Sequence, residues 1–363
     1  MPYVKIEKQN IMNKNKSLFK LQCPAPKFDF DIITLSHGSG GLLTNQLLES
    51  GVFDLLKNEK LDKHHDGAML EFNGPVAFST DSFVVSPIVF PGGDIGELAI
   101  NGTVNDVAMC GGIPQYLSLS FILEEGLPIS QFWDILVSIK YAAEKAGITI
   151  VTGDTKVVDK GKGDKIFINT TGIGAIHPKA AIDINNIKAG DKIIVSNSIA
   201  THGIAILSVR EGLEFETSIE SDTCNLNRLT VKLLDAFGSD IHLFRDPTRG
   251  GVAATLNEIA SEMNLGILLQ NESIPVDGQV KAACEILGLD PLYAANEGVF
   301  MAFISPEVAD EAIEILRQHD ESVHAAIIGE VVDGHNGKVL ITNQMGGTRV
   351  VHMPVGEQLP RIC

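Results

Sequence analysis

Twice in this 363-residue chain a Gly-rich turn opens a run with helical spacing. The first is Phe90-Pro91-Gly92-Gly93-Asp94 and the second is Asp246-Pro247-Thr248-Arg249-Gly250-Gly251. Glycine lets a backbone turn sharply and approach a neighbour or an anion, and a helix start leaves N–H groups unpaired. Both halves therefore share a logic of Gly-rich turn and helix, although one sequence does not establish an internal repeat. A chain of this length buries a sizeable core and divides most naturally into two domains.

The first domain spans about 31–176. Val76–Thr80 is predicted as a strand delivering Asp81, and Asp94 as a helix N-cap with Glu97 three residues later. Ile95, Leu98, Ala99, Val104, Val107 and Ala108 recur at helical spacing, leaving Asn101, Asn105 and Asp106 on the polar side. Ser130 is predicted to cap a second helix that stops at Gly147, before a strand Ile148–Val151 delivering Gly153-Asp154. Val157-Val158 and Ile166–Ile168 flank the turn Gly161–Asp164 as a hairpin. The second domain, 177–334, has strands at Lys192–Ser196, Gly266–Leu269, Val299–Ile304 and Ile327–Val332, and a helix after Thr201-His202-Gly203. Residues 335–363 form a tail with a strand at Val339–Thr342, ending in Cys363. The fold class is α+β.

The formal net charge of −18 argues against nonspecific nucleic-acid binding, which needs a positive surface. Residues 1–27 run the other way, with six Lys against Glu7, so residues 1–30 read as a solvated extension for which disorder and docking both stay open. The five cysteines form no C-x-x-C pair, so reduced thiols and a cytoplasmic address are expected. No apolar run nears the roughly 20 residues that span a bilayer.

Candidate chemistry is spread along the chain. Gly38, Gly40 and Gly41 precede a helix-like run, which suits an anion or an ordinary turn. Asp81, Asp106 and Asp154 are hard oxygen donors able to hold Mg²⁺ beside nucleotide phosphates, or are plain caps and turns. Lys156 and Arg249 offer cations for phosphate, and a buried Glu297 would serve as a base. His64-His65-Asp66 is either a metal group or a polar loop, and the spacing of His202 and His242 supports no dyad. Cys363 is either incidental or a carrier. From Met353 an extended tail sweeps roughly 30 Å.

Taken together, the motifs resemble the hydrogenase maturation factor HypE family, within the superfamily of ATP-using enzymes related to aminoimidazole ribonucleotide synthetase (PurM-like). The matching blocks are His37–Gly41, Phe78–Phe83, Phe90–Gly96 through Asn105-Asp106, Thr152–Val157, Arg245–Gly251, Asn296–Gly298 and Pro360–Cys363. Two features depart from that pattern: Val299 stands where the family often has a basic residue, and residues 1–30 precede its usual start.

The resemblance implies a two-domain subunit with a flexible C-terminal tail, in a homodimer whose first-domain sheets join across the interface. It implies that the carbamoyltransferase HypF loads Cys363 from carbamoyl phosphate. ATP then drives dehydration to a thiocyanate, and a HypC–HypD complex accepts the cyanide. By the same resemblance Asp81, Asp106 and Asp154 surround Mg²⁺–ATP, with Gly38, Gly40, Gly41 and Asn105 also toward the nucleotide. Lys156 and Arg249 hold transferring phosphate, and Glu297 accepts the proton. The alternatives are a relative acting on a small diffusible substrate and a noncatalytic scaffold.

Overall fold

The computed structural model describes residues 30–63, 65–212, 219–356 and 362–363. The extension up to residue 29, His64, and the Pro360-Arg361 pair lie outside the described residues.

Two short helices, α1 (Leu42–Leu47) and α2 (Asp54–Leu56), precede a four-stranded sheet. Its strands are β1 (Val76–Phe83), β4 (Gly112–Glu124), β5 (Thr149–Val158) and β6 (Ile166–Ile176), in the order β1-β6-β4-β5. Between them β2 (Val89–Phe90) and β3 (Gly93–Asp94) form a small hairpin. Along β4, Leu117, Leu119, Phe121 and Leu123 are buried while Ser118, Ser120 and Ile122 face away from that core, the alternation of a half-buried strand. Helix α3 (Ile95–Met109) covers the buried face, with α4 (Ile129–Ala146) beside it. A Cβ on Gly96 would lie 2.7 Å from the Ile135 carbonyl oxygen, so glycine sets how closely α3 and α4 approach. Asp94 caps α3 by accepting from the N–H groups of Gly96 and Glu97 at 2.9 and 3.1 Å.

The second domain is a seven-stranded sheet built from β7 (Lys192–Val195), β8 (Ile241–Arg245), β9 (Gly266–Gln270), β10 (Met301–Ile304), β11 (Ala326–Val332), β12 (Val339–Thr342) and β13 (Thr348–Val351). The order is β13-β12-β9-β11-β7-β10-β8. Its helices are α5 (Thr201–Glu211), α6 (Asn227–Phe237), α7 (Gly251–Met263), α8 (Gly278–Leu287) and α9 (Ala309–Leu316). Ala108 and Met109 at the end of α3 join a core cluster with Leu229, Phe244 and Phe300, so this helix is buried against both domains. No helix among the described residues is long and apolar enough to cross a membrane.

Several expectations change. The tail was expected to begin at 335, but β12 pairs parallel with β9 and β13 completes the sheet, so only the chain after Val351 leaves it. The predicted strands Ile148–Val151 and Val157-Val158 are one strand, β5, and Asp154 lies within it rather than at an end. Helix α4 starts at Ile129 after Pro128, not at a Ser130 cap, because Pro128 is already extended and lacks the N–H that the first turn leaves unpaired. The long central strand β4 is an element the motif reading passed over.

Candidate active site

The backbone around Glu297 is held by close contacts that only particular residues permit. A Cβ on Gly298 would come within 1.8 Å of the Asp222 carbonyl oxygen. Asn296 donates to Pro247 O at 2.9 Å and accepts from Ala200 N–H at 2.7 Å, tying this loop to the turn that carries Arg249. That turn presses inward at Gly251, which has φ +62° and whose Cβ would meet Ala294 O at 2.5 Å. The Glu297 N–H donates to Asp222 Oδ1 at 3.1 Å.

These constraints open a cavity of about 190 Å³ between the β1 edge of the first sheet and the second domain. Thr80, Asp81, Gly102, Asp106, Asp246, Thr248, Arg249, Glu297 and Cys363 line it. Ser79 donates to Asp106 Oδ2 at 2.8 Å, and Arg249 Nη2 lies 3.4 Å from Asp81 Oδ1. Glu297 is 4% exposed, and its Oε1 has no partner among the described residues. Burial, then the charges of Asp222 and Asp246, hold its carboxyl well above the ordinary carboxylate range. Burial and Asp246 raise Asp106 to about 7, against the Ser79 hydrogen bond. The chain end reaches into the cavity, where the Cys363 side chain and the Arg249 guanidinium line the same wall. Burial and the neighbouring Glu297 push that thiol up to about 12, against the pull of Arg249.

Strand alternation divides the expected ligands. The cross-strand register runs Asp81↔Thr170, Thr170↔Leu119 and Leu119↔Gly153, so Asp81 shares the α3-covered face with buried Thr170 and Leu119. Asp154, the next residue, points to the opposite face with Lys156. The two are paired at 2.6 Å, and Lys156 holds the Asp154 carboxyl below its usual range. The three carboxylates expected around one Mg²⁺ therefore do not converge within one chain. Among the described residues no group of three His, Cys, Asp or Glu side chains is placed to hold a metal ion.

Asn105 does not line this cavity. Buried, it accepts from Leu226 N–H at 2.8 Å and donates to Cys224 O at 3.0 Å and Glu297 O at 3.4 Å, so its side chain is occupied in fixing backbone. Gly38, Gly40 and Gly41 lie outside the cavity. A Cβ on Gly38 would meet Val157 N at 2.7 Å, which places this turn against β5 on the far edge of the sheet.

Sequence reasoning missed Asp246 and Asp222, and weighed His202 only as half of a dyad with His242. Asp246 is half-buried in the second Gly-rich turn and lines the same cavity. An acid immediately before Pro247, in a turn already singled out for Arg249, was the available signal. Burial raises Asp222 to about 7, and nothing in its local sequence marks it.

Residues 64–176 match the family model described as AIR synthase related protein, N-terminal domain, and residues 188–342 match the corresponding C-terminal domain. The chain is 48% identical over 332 residues to a carbamoyl dehydratase HypE of Azotobacter vinelandii, covering 91% of this chain and 97% of that protein. A crystal structure of the hydrogenase maturation protein HypE in complex with ATP superposes with a TM-score of 0.87 at 46% identity, over 91% of this chain and 99% of that one. A HypE–HypF complex structure matches with a TM-score of 0.75 at 45% identity, over 85% and 99% of the two chains. With both domains present in order and nearly half of the residues identical across nine-tenths of its length, the chain belongs to the HypE family of hydrogenase maturation proteins.

Proposed function

We propose that the protein is an ATP-dependent dehydratase that converts a carbamoyl group on its own Cys363 to a thiocyanate, the source of cyanide ligands for a nickel–iron hydrogenase. The observation that carries this reading is the position of Cys363, which lines the same cavity as Arg249 and Glu297. With the tail seated, the cavity of about 190 Å³ is smaller than the ~300 Å³ at which ordinary ligand pockets begin. It suits a transferred group rather than a whole nucleotide.

The carbamoyl oxygen is a poor leaving group until ATP phosphorylates it. Transfer of the phosphoryl group to that oxygen releases ADP and one N–H proton and leaves a C=NH carbon bearing the phosphate ester; its C–O bond then breaks, phosphate departs, and Glu297 takes the remaining N–H proton, leaving S–C≡N. Glu297 suits this step because desolvation makes its carboxylate a stronger base than an exposed one. Arg249 steadies the developing negative charge on the phosphate oxygens. Asp81 and Asp106 are the oxygen donors suited to Mg²⁺, which nucleotide enzymes commonly hold through one or two carboxylates plus phosphates. When bound, the ion would neutralise phosphate charge in this acidic pocket.

The seated thiol is poorly suited to loading. Burial and the neighbouring Glu297 disfavour the thiolate, which is the nucleophilic form that loading needs. Loading by HypF and transfer to HypC–HypD therefore take place with the tail withdrawn. Asp154 and Lys156 enter the reaction through a homodimer. The face of the first sheet that carries them exposes Phe78 (67%) and Ile122 (44%), an apolar surface suited to a second copy. Across that interface Lys156 would act on the transferring phosphate. The site of action is the cytoplasm, where thiols stay reduced.

Intact-protein mass spectrometry after incubation with HypF, carbamoyl phosphate and Mg²⁺–ATP tests the reading. Carbamoylation confined to Cys363, followed by ATP-dependent loss of one water, is expected and should vanish in Cys363→Ala. No Cys363-dependent adduct, with HypF active on a control acceptor, would instead favour a small diffusible substrate or a noncatalytic scaffold.

A further inference from the structure

His202, at the start of α5, is fully buried, and each ring nitrogen has a partner. Nδ1 lies 2.7 Å from Ser221 Oγ, and Nε2 lies 3.0 Å from the main-chain oxygen of Ile362. A carbonyl only accepts, so Nε2 carries the proton and Nδ1 accepts from the Ser221 hydroxyl. The ring meets Phe90 edge-on with centroids 5.6 Å apart. Ser221 is itself fixed: its N–H donates to Pro91 O at 2.8 Å, and its Oγ accepts from Thr223 N–H at 3.1 Å.

Two further contacts seat the chain end. Val84 N–H donates to the main-chain oxygen of Cys363 at 3.1 Å, and Ile362 is 4% exposed in the core cluster that contains Ile206 and Ala295. His202 contributes a side-chain hydrogen bond to the main chain one residue before the carrier thiol. The residue after Ser221 is Asp222, which holds the Glu297 backbone. The latch and the proposed base are therefore anchored by adjacent residues.

We propose that His202 is a positioning residue that latches the tail in the pocket through the Ile362 carbonyl. While the bond is made, the group on Cys363 faces Arg249 and Glu297. When it breaks, the tail is free to exchange its cargo. Withdrawal leaves a buried imidazole N–H without its acceptor, so the bond biases the chain toward the seated state. The role in turnover rests on Cys363 as carrier, whereas the latch itself is measurable without any carbamoyl group.

The test is alkylation of Cys363 by a bulky maleimide in the full-length protein, followed by peptide mass spectrometry to separate it from exposed Cys110. His202→Phe keeps the packing and removes the donor. It should speed Cys363 labelling roughly tenfold, the worth of one hydrogen bond. His202→Gln, whose amide N–H can occupy a similar position, should return the rate toward wild type. In single turnovers His202→Phe should slow dehydration of a preloaded chain without slowing carbamoyl loading. Equal labelling of wild type and the Phe variant, or no rescue by Gln, overturns the latch.

Should His202→Phe fail to fold, the imidazole proton of His202 gives a second reading by nitrogen-edited NMR. A protected Nε2–H signal in the full chain that is lost on removal of residues 357–363 supports the latch. An identical signal in both overturns it. His202-dependent labelling in a chain that HypF never carbamoylates would support the latch and sink only the carrier reading.

Discussion

Replacing Glu297 by Gln keeps the shape of the side chain while removing its ability to take a proton. Loss of a positioned base should slow elimination by about 10² to 10⁴. The assay is a single turnover of chain preloaded on Cys363, following ATP-dependent loss of water by mass. Stability should move the other way. The native carboxyl lies well above its ordinary 4.5 because it is buried among Asp222 and Asp246, so the folded state favours the protonated form. Glu297 therefore contributes fully below the unfolded value, and the contribution declines as pH rises through the native one. Each unit of difference is about 1.4 kcal/mol. Gln cannot ionise. Without nucleotide, the gap between variant and wild type should be flat below about pH 4.5 and open in favour of the variant at higher pH. Wild-type elimination should rise with pH over that same upper range, since the carboxylate is the active form. A Gln variant dehydrating within tenfold of wild type, or a stability gap that ignores pH, would refute the reasoning.

Lys156→Ala should cut turnover but change unfolding free energy by no more than about 0.5 kcal/mol, because its pair with Asp154 is exposed; undiminished turnover removes it from the site. Phe78→Asp should leave each subunit folded but turn a dimer into a monomer by light scattering, with loss of ATP-driven turnover. A dimer mass at the same concentration contradicts the assigned interface. Gly298→Ala forces a Cβ against the Asp222 carbonyl oxygen and should destabilise by about 3 kcal/mol in chemical denaturation; a change under about 0.5 kcal/mol would mean the loop relaxes freely.

Local signals carried much of the reading. Asp94 and Glu97 marked the start of α3, Gly147 the end of α4, and Gly161–Asp164 the turn between β5 and β6. Arg249, Glu297, Asp81, Asp106 and Cys363 were each picked from short motifs, and all line one cavity. What the sequence hid was which face each residue takes across several strands. Asp81 and Asp154 look equivalent as acids on strands. Only the register through β6 and β4 puts them on opposite faces of the sheet. The bonds of Asn105 to Cys224 and Leu226, more than a hundred positions away, were equally hidden. His202 stayed silent for the same reason, since its partner is the far end of the chain. The strands β12 and β9 were both visible, but their parallel pairing was not, and so sheet was mistaken for tail.

Because β13 roots the chain end in the second-domain sheet, the reacting group is a tethered substrate. A group on a short tether meets its site at an effective concentration on the order of millimolar, whatever the amount of protein in the cell. While the dimer stays intact, dilution should leave the dehydration step unchanged, and free thiocarbamates should compete poorly with it. The same attachment imposes single occupancy, since no second carbamoyl group can load until the first product has been handed on. Throughput is then governed by how often donor and acceptor meet the withdrawn tail, and the pocket itself is never saturated or starved.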